Sequence, residues 1–357
     1  MDYMFGKKMN SMLDALKRTE AEAQTIKENM DDLYDILENE IKNSKFSDSE
    51  KQTLKKRLDE FCNTETNIMV VGATGCGKSS TINALFSAGE KVEYAKVGKS
   101  VTPETKQIEK YQIGNLVLWD TPGLGDGTNE DEHYSEMLKE LLNKKDEDEN
   151  AVIDLVLVIL DGSTKDLGTT YKILNEVIIP ELKNDTSRIL IALNQADVSM
   201  KNGRHWNYED NCPDEVLIKI LEEKVQSIKD RVKKDSGIEV NPIYYCAGYK
   251  EETGDVVYPY NLSKLLYYIM SALPAQKRVT VMEGINTDSD NYEHNDEDED
   301  YNEEIKESFC DSFDYISYSV DNGAEIGATI LGVPGAIVGA VLGGVVGCVR
   351  SILDEVF

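Results

Sequence analysis

One nine-residue stretch restricts the fold more than any other: "GATGCGKSS", Gly72 to Ser80, directly after the apolar run "NIMVV". It fits G-x-x-x-x-G-K-[ST] between a predicted strand and a predicted helix, and that setting makes it a phosphate-binding loop. Gly72, Gly75 and Gly77 let backbone N–H groups curl around phosphates, aided by the helix N-terminus. Lys78 is expected to reach the β- and γ-phosphates and the Ser79 hydroxyl to ligate Mg²⁺. Ala73, Thr74, Cys76 and Ser80 complete the residues expected around the nucleotide. Cys76 reads as a small residue tolerated in the loop rather than as a catalytic thiol.

From Asn67 onward, short apolar runs alternate with helical stretches: "NIMVV", "LVLWD", "IDLVLVILD", "RILIALN" and "NPIYYC". This alternation predicts an α/β fold with a mostly parallel sheet covered by helices. "LVLWD" runs into Asp120-Thr-Pro-Gly123, which sets an aspartate at a strand tip beside the loop. Asp120 is expected to hold Mg²⁺ through water, and the Gly123 N–H to sense the γ-phosphate. Between the two motifs lies the polar "VGKSVTPETKQIE". A threonine from it would close over the metal: Thr105, which directly precedes a strand, with Thr102 as the alternative. Lys78, Thr105 and Gly123 are thus the residues expected to act at the γ-phosphate, and Ser79, Thr105 and Asp120 those expected at the metal.

Choice of base is written in "LIALNQADVS". A strand ends at Asn194, and Asp197 follows three residues on. A carboxylate there accepts hydrogen bonds from guanine N1–H and the 2-amino group, which adenine does not offer. A base lacking these donors would leave a buried carboxylate unpaired, at a cost. The second residue of this motif is usually lysine; here Gln195 can cover the base without cationic stacking. Downstream, Cys246-Ala247-Gly248 stands where a backbone N–H would meet guanine O6. The expected ligands are therefore GTP or GDP with Mg²⁺.

A formal charge of −29 argues against a nucleic-acid partner and against an anionic membrane surface as a general partner. Six cysteines and three histidines are scattered without paired spacing, so no zinc site is expected. The N-terminal "MDYMFGKKMNSM" lacks an apolar core of signal-peptide length, and a reducing, cytoplasmic setting fits. The organisation expected is a helical hairpin or coiled-coil segment over 1–64, a nucleotide-binding domain over 65–275, an acidic disordered linker over 276–310 and a glycine-rich helical tail over 311–357.

In the first segment, Met9, Met12, Leu16, Ala23, Ile26, Met30, Leu33 and Leu37 form a heptad seam, and "SDSE" from Ser47 has the form of a capping box. The seam serves either a hairpin within the chain or self-association. The linker expectation rests on "DSDNYEHNDEDEDYNEEIKE", Asp288 to Glu307, too acidic to bury much apolar area. In the tail, Ile326 to Val349 carries no charge, and glycines recur every fourth residue at Gly323, Gly327, Gly335, Gly339, Gly343 and Gly347, with Leu331 interrupting. Such a face lets another backbone approach closely, and the stretch is long enough for about 30 Å of hydrocarbon. Pro334 is expected to kink or break the helix, and no basic cluster or aromatic belt flanks the stretch. The readings open are a helical hairpin packed in a soluble domain, conditional membrane contact through 323–349, and a permanent anchor.

Together "GKSSTINALF", "VLWDTPGLGDG", "DLVLVILDGSTKDLGT", "LNQADVSMKNGRHW" and "YNLSKLLYYIM" resemble a bacterial, often prophage-associated family of Era-like GTPases, in the group that includes TrmE, Era and the septins. A fainter resemblance is to immunity-related and dynamin-like GTPases. The similarity spans 65–275 and leaves out both ends. It implies a P-loop GTPase fold and hydrolysis of GTP to GDP and phosphate. Two departures bear on rate. Leu124 stands where Ras-type enzymes carry the glutamine that orients water. Gly75 stands where potassium-stimulated members carry an asparagine. Slow hydrolysis, completed by a second molecule across the nucleotide face, is the resulting expectation. Two classes remain: a nucleotide-gated switch, or a protein whose GTP-dependent self-assembly at membranes is its output.

Overall fold

The computed structural model describes residues 63–309, except 87–107, 124–127, 165–167, 184, 251–255, 283 and 287, together with scattered positions between 38 and 59. At its centre is a six-stranded sheet of order β2-β3-β1-β4-β5-β6. The strands are β1 (Thr66–Gly72), β2 (Glu109–Ile113), β3 (Leu116–Asp120), β4 (Leu155–Asp161), β5 (Ile189–Asn194) and β6 (Ile243–Tyr244). All neighbours pair in parallel except β2 with β3. The five apolar runs of the sequence are five of these strands. β1 is buried along its whole length, as a strand covered on both faces must be.

Alternation along the strands splits the core into two layers. Ile68, Val70, Leu157 and Leu190 face α1 (Lys78–Leu85) and α5 (Leu262–Ala272), with Leu85, Leu265 and Ile269 among their buried neighbours. Met69, Val71, Val158 and Ile191 face the opposite layer, with Leu138 of α2 (Thr128–Leu142), Tyr171 of α3 (Gly168–Ile173) and Leu221 of α4 (Glu215–Ser236). The α4 ends are set by sequence: Asp214 accepts from the N–H groups of Val216 and Leu217, and Gly237 closes the helix at φ 76°. Register aligns Val70 with Asp120 and Asp161 with Asn194. The ends of β1, β3, β4 and β5 therefore share the carboxyl edge of the sheet, where ligands bind in open α/β folds.

The acidic region departs from expectation. α6 (Ala275–Met282) returns to the start of β1, where Thr280 Oγ1 donates to Thr66 Oγ1 at 2.6 Å and Lys277 pairs with Asp154 at 2.6 Å. Residues 301–309 form a helix, and Tyr292, Tyr301, Ile305 and Phe309 are buried. Tyr292, Ile305 and Phe309 belong to the same layer as α1 and α5. The disordered linker is therefore corrected to a packed strap. Composition hides a helical stripe: Tyr301, Ile305 and Phe309 recur every four residues and share one face. Part of the acidic charge is also partnered. Asp296 pairs with Lys264 at 2.6 Å and accepts from Tyr301 OH at 3.0 Å.

At the N-terminal side, the described positions from 48 to 59 are helical, and Glu38 bonds Lys42 at 2.7 Å and Lys55 at 2.5 Å. The heptad seam and the glycine-rich tail lie outside the described residues. Among the described residues no helix is long and apolar enough to cross a membrane.

Candidate nucleotide-binding site

Gly72 ends β1, and the loop Ala73–Gly77 leads into α1, so the loop is pinned at both ends. Gly77 sits at φ 92°, and a Cβ there would stand 2.2 Å from Asn194 Nδ2. Positive φ and lack of space together demand glycine. Lys78 is buried, and its ammonium lies across the loop, donating to Gly72 O at 3.1 Å and Ala73 O at 3.4 Å. These weak carbonyl partners leave it able to turn to a phosphate. Thr74 is exposed at the rim, Cys76 is fully buried beneath the loop, and Ser80 is half-buried on the helix.

The two described candidates for the metal meet: Ser79 Oγ donates to Asp120 Oδ2 at 3.0 Å. Asp120 Oδ1 is buried and has no partner. An orphaned carboxylate oxygen beside a hydroxyl is a donor set that suits a hard cation such as Mg²⁺. Burial pushes the Asp120 carboxyl up, against the pull of Lys78 and Ser79. Gly123 closes over the loop from the β3 side, where a Cβ would stand 2.1 Å from Thr74 Oγ1. Thr105, Thr102 and Leu124 lie outside the described residues.

At the other end, Asn194 works as a staple. Its Nδ2 donates to Cys76 O at 2.9 Å, and its Oδ1 accepts from Ala247 N–H at 3.0 Å. One side chain thus locks the phosphate loop to the loop expected beneath the base. Gln195, at φ 61°, adds a second tie through Nε2 to Gly75 O at 2.8 Å. Asp197 follows, buried, with Oδ2 unpartnered. Burial pushes its carboxyl up, opposed by a hydrogen bond with the Cys246 thiol. Gly248 stands at φ 72° with its N–H on Cys246 Sγ at 3.4 Å.

The fold therefore gathers every described candidate along one edge. Sequence reasoning missed the pairs beneath it. Thr81 Oγ1 meets Tyr245 OH at 2.6 Å, joining α1 to the residue after β6. Thr121 Oγ1 donates to Val70 O at 2.7 Å and meets Tyr134 OH at 2.8 Å. No local pattern announces either contact, because each partner comes from a distant element.

A pH dependence follows from Asp197. The guanine contact that the motif predicts for Asp197 would require the ionised carboxylate, whereas burial lets the side chain keep its proton to higher pH than an exposed aspartate. Guanine affinity is expected to fall as pH descends through the raised value and to be regained above it. Nucleotide titrations across the acid range, compared with Asp197→Asn, check this: the variant is expected to lose that step.

Residues 67–195 match the family model described as 50S ribosome-binding GTPase. Interferon-inducible GTPase 1 of Mus musculus is 39% identical over 84 residues, 23% of this chain and 20% of that protein. Protein YkfA of Escherichia coli (strain K12) is 28% identical over 148 residues, 41% of this chain and 47% of that protein. The chain spans less than half the length of either relative. Among solved structures, Toc33 from Arabidopsis thaliana in complex with Mg²⁺ and GMPPNP is 18% identical, covers 67% of this chain and 94% of its own, and has a TM-score of 0.39. Residues 67–195 are a P-loop GTPase domain, and they carry both the phosphate loop and the start of the guanine motif.

Proposed function

We propose that the chain is a GTP- and GDP-binding protein that hydrolyses GTP slowly with Mg²⁺ and acts as a nucleotide-gated switch. One observation supports it above others: Asp120 Oδ1 and Asp197 Oδ2 are both buried without partners, at opposite ends of one edge. β3 and β5 are three strand spacings apart in the sheet, about 14 Å, which suits a guanine at one end and a metal-bound phosphate at the other. Asp197 would read the base, a backbone N–H of the Cys246–Gly248 loop would turn from its present partner to the base's O6, and the loop amides from Gly72 to Ser80 would hold the phosphates. Ser79, Asp120 and Thr105 would hold Mg²⁺, which would neutralise charge on the β- and γ-phosphate oxygens. Lys78 would hold its ammonium against the same charge, and Gly123 N–H would face the γ-phosphate.

Hydrolysis would be slow because Leu124 offers no group to orient water and Gly75 removes the usual potassium ligand. Specific activity is expected to rise with protein concentration, as a second copy completes the site across the nucleotide face, and to be equal in sodium and potassium buffers. Fast turnover at high dilution, or a large potassium effect, would overturn this reading. The assembly reading draws on the partial likeness to Dynamin-like protein 1 of Campylobacter jejuni, 31% identical over 116 residues. Light scattering with GTP and liposomes separates it: growth of large particles supports assembly, and its absence supports the switch. Membrane contact through 323–349 belongs to that second reading.

A further inference from the structure

A helix leaves its last four carbonyls without intrahelical partners. In α1, the helix that carries Lys78 and Ser79, each of the four is met. Ile82 O accepts from Phe86 N–H within the chain turn. The other three are met by the strap that follows α6. Leu85 O accepts from Asn286 N–H at 2.8 Å, Asn83 O from Asn286 Nδ2 at 3.3 Å, and Ala84 O from Asn291 Nδ2 at 3.4 Å. Ile285 pairs with Phe86 in an antiparallel bridge, and Tyr292 OH, fully buried, ties the strap to itself through Asn286 O at 2.9 Å. The last turn of α1 holds no basic side chain to do this work.

From this geometry we propose that Asn286 and Asn291 are positioning residues for nucleotide binding, acting through α1. The N-terminus of α1 is the phosphate site, and α1 is only eight residues long, so holding its far end sets the direction of the near one. The coupling is reciprocal: a ligand that orders α1 also holds the strap, and a docked strap favours the ligand. Phe86 is also the residue from which the chain leaves for 87–107, the segment that carries Thr102 and Thr105. The inference rests on the proposed guanine-nucleotide binding.

Asn286→Asp with Asn291→Asp tests it. Both replacements are isosteric, and a carboxylate at position 286 would keep the acceptor that Asn286 Oδ1 now offers to Asp288 N–H at 3.1 Å. The donors to Asn83 O and Ala84 O are lost. Affinity for GDP with Mg²⁺ is expected to fall about tenfold, while Asn291→Gln, which keeps a donor, recovers part of it. In the unaltered full chain, GDP with Mg²⁺ is expected to slow amide hydrogen exchange at residues 284–292. Unchanged affinity in a folded double variant would overturn the proposal. So would exchange at 284–292 indifferent to nucleotide, a measurement that stands even if the double variant fails to fold. Failure of the unaltered chain to bind GDP would instead overturn the functional reading itself.

Discussion

Asp197→Asn is expected to lower GTP affinity on the order of 10- to 100-fold while leaving ATP affinity where it was. The buried carboxylate offers two acceptors to guanine, and the amide offers one acceptor and one donor. The donor would face N1–H or the 2-amino group, donor against donor. Stability of the empty protein is expected to move the other way. Burial holds the Asp197 carboxyl above its ordinary range, so its ionised form costs stability at neutral pH. That cost sets in as pH rises through the ordinary aspartate range and is complete above the raised value. Neutral asparagine removes it, so thermal unfolding of the nucleotide-free variant is expected at or above the native temperature. Competition titrations with GTP and ATP beside melting curves decide the matter. An unchanged ratio of the two affinities would mean that Asp197 does not read the base.

Lys78→Ala is expected to cost about 100- to 1,000-fold in GTP affinity, in the range measured when one partner of a buried charged contact is removed. The ammonium is enclosed by the loop and now leans on two carbonyls, Gly72 O and Ala73 O, which it can leave for phosphate oxygens. GTP is expected to lose more than GDP, because the γ-phosphate adds charge that this ammonium would meet together with the metal and the Gly123 N–H. The variant is expected to keep its fold, since the strands and the loop glycines do not depend on the ammonium. Calorimetric titration with both nucleotides checks the order of losses; equal losses would place Lys78 away from the γ-phosphate.

Much of this site was legible because its signals are local. Gly72 to Ser80 is one turn between a strand and a helix, and Asn194 and Asp197 follow one strand, so spacing alone places them. The strands were legible for the same reason: β1 holds the unbroken apolar run Ile68–Val71 and β4 the run Leu155–Leu160, as strands buried on both faces do. What stayed hidden is tertiary. The motif places Asn194 at the base but does not announce that its side chain also bonds Cys76 O and Ala247 N–H, from loops far apart in sequence. The strap was hidden by charge: acidic residues between Tyr292 and Phe309 outnumber the four that pack. Average composition argued for disorder, whereas burial is decided by the face that Tyr301, Ile305 and Phe309 share. Lys264 and Asn261 on the neighbouring helix and its cap receive Asp296, and neither pairing has a local signature.

Displacement of a fluorescent GDP analogue from the full chain in Mg²⁺ buffer, by GTP, GDP and ATP in turn, bears most directly on guanine recognition. GTP and GDP are expected to displace it at comparable concentrations and ATP to leave it bound. Displacement by ATP as effective as that by GTP would contradict the reading of Asn194, Asp197 and the Ala247–Gly248 loop as a guanine site.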